Sequence, residues 1–131
     1  MIYIEFQSLY LRNLKHGSAW KKSEIFTSKN TTGRRKAETS ALTFDEVFWA
    51  IKKLDFEAAL EAAHALLNFP NLEIISVHRD LSLSALQIIK EYHLAPRDAI
   101  HAATAIAAKA EVVVSTDAHF DKIKELKRRS L

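Results

Sequence analysis

Two hydrophobic spacings alternate along the chain. Met1 to Ile4, NLEIISV at 71–77 and EVVVS at 111–115 are short apolar runs rich in β-branched residues, the pattern of strands buried on both faces. Between them apolar positions recur every three or four residues. Val47, Phe48, Ile51 and Leu54 predict a helix, and Thr43 followed three residues later by Glu46 has the spacing of a capping box. A second helix is predicted from about Phe56 to Leu67, ending before Pro70, and a third from His78 to Tyr92 with Leu81, Ala85, Ile88 and Ile89 on one side. Pro96 suits the first turn of a fourth, running through RDAIHAATAIAAKA. A short strand is expected near Glu38 to Leu42, and a short helix from about Ala118.

Strands alternating with helices predict an α/β three-layer sandwich with a mainly parallel central sheet. Its right-handed crossovers bring the carboxyl ends of the parallel strands to one edge, where such sheets keep their chemistry. The length of 131 residues fits one domain, 1–131, able to bury a core of its own.

Composition narrows the chemistry. There is no Cys, which removes disulfides and thiolate zinc sites and suits a reducing cytoplasm. No run approaches the ~18 apolar residues of a membrane span, so the expected setting is cytoplasmic, with no membrane partner. The net charge of +3 is carried mainly by two basic clusters. One is Lys21, Lys22, Lys29, Arg34, Arg35 and Lys36; the other is Lys122, Lys124, Lys127, Arg128 and Arg129. Either favours a polyanion, and either also serves as an ordinary solvated surface.

Four acids fall where this architecture can gather them: Glu5 after the first strand, Glu46 in the first turn of a helix, Asp98 after Pro96, and Asp117 after EVVVS. Clustered carboxylates repel unless a cation neutralises them, and all-oxygen donors suit Mg²⁺ or Mn²⁺. Each acid also has a structural reading, as a solvated charge, a capping-box acid, a helix N-terminal charge or an N-cap. His101, three residues after Asp98, reads as a packed, hydrogen-bonded neighbour. His119 and His78 have no spacing that favours a metal, and Phe48, Trp49 and Phe69 read as core or interface.

TSALTFDEV at 39–47, PRDAIHAATA at 96–105 and STDAHFDKI at 115–123 resemble successive motifs of the PIN-domain ribonucleases, particularly the VapC-like toxins of prokaryotic toxin–antitoxin pairs, over roughly residues 37 to 129. The resemblance implies a PIN-like fold and a Mg²⁺- or Mn²⁺-dependent endoribonuclease with an RNA substrate, a cognate antitoxin and a homodimeric state. It assigns Glu46, Asp98 and Asp117 to the metal-site acids, Asp121 to an outer position and Thr116 to a supporting hydrogen bond. Two alternatives stand beside it: an impaired relative acting only through antitoxin or self association, and an unrelated acidic-pocket phosphoryl-transfer domain.

The first motif departs from the family's. Where the family has an aspartate, Ser or Thr, then Asn before an apolar helix, this chain has Glu5, Phe6, Gln7 and Ser8. Glu5 keeps the charge and reaches one methylene further. The segment HGSAWKKSEIFTSKNTTGRRK at 16–36 has no apolar stripe. A surface loop accounts for it, and so does a frameshift over about 5–36: deleting one nucleotide in the codon of Glu5 allows IEFQSLYLRNLK to be reread as IDSNLFIYAILN, which supplies the missing motif.

Overall fold

The computed structural model describes residues 1–6 and 36–130. The segment for which a frameshift is expected lies, apart from its ends, outside the described residues.

A five-stranded sheet, parallel throughout, forms the middle layer, in the order β3-β2-β1-β4-β5. Its strands are β1 (Ile2–Ile4), β2 (Ala37–Ser40), β3 (Leu72–Ile75), β4 (Val112–Val114) and β5 (Arg128–Arg129). The helices are α1 (Leu42–Lys52), α2 (Phe56–Leu67), α3 (Arg79–Tyr92) and α4 (Pro96–Ala107), followed by a 3₁₀ turn at Ala118–Lys122. The mainly parallel α/β sandwich expected from sequence is the fold observed.

Alternation along the strands decides which helices cover which face. Ile4 and Val114 turn toward α1 and α2, packing with Val47, Ile51, Ala59 and Leu66. Tyr3 and Val113 turn toward α3 and α4, packing with Leu81, Ala85, Ala99, Ala102 and Phe120. Ala99, Ala102, Ala103 and Ala105 of α4 are buried, and small side chains let that helix lie close to the sheet.

Four local expectations change. The strand expected near Glu38 to Leu42 is Ala37–Ser40, because α1 already begins at Leu42. Thr43 is therefore not a cap: the N-cap is Ala41, with no side-chain cap bond, and Ser40 Oγ accepts from Leu42 N–H at 3.1 Å. Thr43 instead pairs its hydroxyl with Thr39 at 2.8 Å, and Thr39 donates to the Ile4 carbonyl at 2.8 Å. Those bonds tie the ends of β1 and β2 to the start of α1. Leu54 leaves the helical pattern, because α1 stops at Lys52 and Asp55 caps α2 through Glu57 N–H and Ala58 N–H. The last element is a 3₁₀ turn rather than an α-helix, and β5 follows it.

Candidate metal centre

Glu5 follows β1 directly, and its backbone N–H donates to the Val114 carbonyl at 3.0 Å. Its carboxylate is buried beneath the carboxyl ends of the central strands, where Oε2 accepts from Ser115 Oγ at 2.9 Å. Glu46 comes from the inward face of α1, in line with Thr43 and Val47, and is also buried. Once the helix starts at Leu42, Glu46 is one turn inside it and turned to the sheet. Its Oε1 is bonded by Nε2 of His101 from α4. Its Oε2 is buried without a hydrogen-bond partner.

Behind this pair lies a second buried contact. Tyr3, in the middle of β1, sets its hydroxyl 2.6 Å from Nδ1 of His101. Burial first, then the charges of Glu46 and Glu5, pushes the Tyr3 hydroxyl far above its ordinary value, so it keeps its proton. His101 is thus the packed, hydrogen-bonded residue its alanine surroundings suggested.

A shallower group lies beside the buried one. Asp98, in the first turn of α4, and Asp117, after β4, are both half-buried. Asp117 caps the 3₁₀ turn, accepting from His119 N–H at 2.9 Å, and its Oδ1 lies 2.7 Å from His119 Nδ1. Its own N–H donates to Ser115 Oγ at 2.9 Å, so the Ser115 hydroxyl connects Glu5 to Asp117. The Asp98 carboxyl is held above the usual range by burial first, then by the charges of Asp117 and Glu5. Asp98 therefore senses both groups.

Donor atoms of Glu5, Glu46 and His101 fall within 4.8 Å of one another, and so do those of Asp98, Asp117 and His119. The four acids expected at one edge are brought to it. Thr116 is half-buried between Ser115 and Asp117. Asp121 lies elsewhere: both its oxygens are taken by Arg128, at 2.8 and 2.9 Å, and among the described residues it joins neither group. Arg128 also reaches the Ser115 carbonyl at 3.2 Å. Asp121 thereby steadies the backbone that carries Ser115.

The donor set fits a hard divalent cation. A buried carboxylate oxygen with no partner, beside a second buried carboxylate, is a costly arrangement in the absence of a positive charge. Sequence reasoning passed over Tyr3 and set His119 aside as having no spacing that favours a metal, whereas its donor atom falls in one group with Asp98 and Asp117. The D-x-H spacing of Asp117 and His119 was a usable signal for His119; Tyr3 meets His101 across 98 positions, and no local pattern announces it.

A family model described as "PIN domain" matches residues 18–126, a span that includes Glu46, Asp98 and Asp117. The chain belongs to the PIN-domain family. Glu5 lies before the matched span of this PIN domain. Among curated proteins no sequence match was found. Solved structures with the same fold include VapBC2 from Rickettsia felis bound to a promoter DNA fragment, at a TM-score of 0.76 and 17% identity, covering 100% of this chain and 99% of that one. DNA-bound VapBC from Salmonella typhimurium gives 0.73 and 18%, covering 98% and 96%. The Sarcin-Ricin loop cleaving toxin VapC20 from Mycobacterium tuberculosis gives 0.69 and 17%, covering 93% and 94%. At these identities the likeness is one of fold, and it extends over nearly the whole PIN-domain chain.

Proposed function

We propose that this PIN-domain chain is a metal-dependent endoribonuclease, the toxin partner of a VapC-like toxin–antitoxin pair, hydrolysing RNA phosphodiester bonds with Mg²⁺ or Mn²⁺. The observation that carries the reading is the buried, unpartnered Oε2 of Glu46 beside the Glu5 carboxylate, at the strand ends where Asp98 and Asp117 also converge. Glu5, Glu46, Asp98 and Asp117 hold the cation, and Thr116 supports the loop that carries Asp117. When bound, the cation lowers the pKa of water and offsets the charge that develops on the phosphate.

The chain's own residues do the rest. Ser115 fixes one oxygen of Glu5 and the backbone of Asp117, setting the spacing between the buried and shallow acids. Asp98 is half-buried, and burial first, then the charges of Asp117 and Glu5, holds its carboxyl above the usual range until a cation offsets them. Lys122, Lys124 and Lys127 are exposed, and Lys122 ends the 3₁₀ turn that Asp117 caps, which suits contact with an RNA backbone. The PIN-domain fold shared with VapBC complexes supports an antitoxin partner. Among the described residues no helix is long and apolar enough to cross a membrane.

Incubating the purified chain with single-stranded RNA and Mg²⁺ or Mn²⁺ tests the reading. Cleavage that EDTA stops, and that Asp98→Asn lowers at least roughly 100-fold, is the expected result. A wild-type chain that binds an antitoxin and cleaves nothing is instead the impaired relative. That second reading draws on Glu5, whose extra methylene lengthens a ligand arm in a site with strict geometry.

A further inference from the structure

We infer that His101 is a positioning residue for the metal centre and not one of its ligands: Tyr3 holds the ring by Nδ1, and the ring holds Glu46 by Oε1, leaving Oε2 of Glu46 as the atom presented to the cation. The inference rests on the metal-dependent reading above and concerns how that site is built.

Geometry carries it. His101 belongs to a set of donors close enough to share an ion, yet both of its nitrogens are already engaged. A carboxylate only accepts, so Nε2 carries the proton that bridges to Glu46. The other nitrogen, Nδ1, is met at 2.6 Å by the Tyr3 hydroxyl. No lone pair on the ring remains for a metal. Of the two Glu46 oxygens, the one touching His101 is satisfied and the other is not. A carboxylate fixed by one oxygen presents the second in a defined direction, as buried partners of metal ligands do.

The three residues come from three layers of the fold. Tyr3 stands on the central strand, Glu46 on a helix of one face and His101 on a helix of the other. All three are buried, so the ring cannot swing away to solvent. The relay therefore makes the direction of the Glu46 carboxylate a property of the core packing.

Mn²⁺ is a suitable probe, with affinity read by EPR titration and ligand identity by electron spin-echo modulation from ¹⁴N. In a His119→Gln background, which removes the other nearby imidazole, bound Mn²⁺ shows no directly coordinated ¹⁴N. His101→Ala weakens Mn²⁺ binding roughly 10–100-fold, the usual cost of removing a ligand's orienting partner. His101→Gln, whose amide N–H reaches the same carboxylate oxygen, recovers most of the loss. Tyr3→Phe keeps the ring volume and weakens binding several-fold, and it reads the same effect should His101→Ala fail to fold. Coordinated ¹⁴N in the His119→Gln protein makes His101 a ligand and overturns the inference, as does unchanged affinity in folded His101→Ala or Tyr3→Phe. Absence of Mn²⁺ binding by the wild-type chain overturns instead the metal-centre reading on which the inference rests.

Discussion

At the scale of single residues, the fold tolerates buried carboxylates for different reasons. Glu46 is buried next to His101 and a candidate cation site. Glu38 is buried on β2 with no such arrangement among the described residues: its Oε2 has no hydrogen-bond partner, and it stands in register with Glu73 on β3. Burial first, then the Glu73 charge, raises its carboxyl above the ordinary value. A carboxyl raised on folding binds its proton more tightly in the native state, so its contribution to stability is best at low pH. That contribution falls as pH rises from the ordinary glutamate value through the raised one. Glu38→Gln is accordingly expected to raise the urea midpoint at pH 7.5, with the advantage shrinking at pH 4.5; an advantage independent of pH would show that ionisation is not what makes this position costly.

At the scale of elements, most of the fold is legible in the sequence because most elements are set by local rules. The end of α2 before Pro70, the start of α4 at Pro96 and the apolar side of α3 all follow from spacing and backbone chemistry. Asp55 caps α2 from an exposed site, and Asp55→Ala is expected to lower stability by about 1 kcal/mol in denaturant titration. What was misread depended on long-range choices. Thr43 and Glu46 have the spacing of a capping box, but Thr39 claims the Thr43 hydroxyl and the pocket claims Glu46, and the N-cap is Ala41, two residues earlier. Two arginines give no strand signal, and β5 exists because β4 offers an open edge for backbone pairing. Asp121 resembled a metal-site acid by position, yet Arg128, seven residues later, is a nearer and better oriented partner.

At the scale of the whole molecule, the candidate site joins residues that lie far apart along the chain. Glu5 and Glu46 are buried, and Asp98 and Asp117 stand at the starts of elements on the opposite side of the sheet. A cation held among them binds only the folded state and stabilises all of it by mass action, about 2.7 kcal/mol at a hundred times the dissociation constant. Added Mn²⁺ is expected to raise the wild-type melting temperature and to raise that of Asp98→Asn much less, as differential scanning calorimetry would register. Equal shifts in both proteins would assign the stabilisation to a site elsewhere.

The hydrogen bond from Ser115 to Glu5 spans 110 positions, and β1 pairs with β4 across nearly the whole chain. Glu5 is synthesised 110 positions before Ser115, so the pocket cannot close until the chain through Ser115 has been made. Tyr3 must likewise wait for His101, and the inner strand of the sheet has one neighbour until β4 emerges. Any chemistry of the proposed site therefore becomes available only once β4 has emerged to pair with β1.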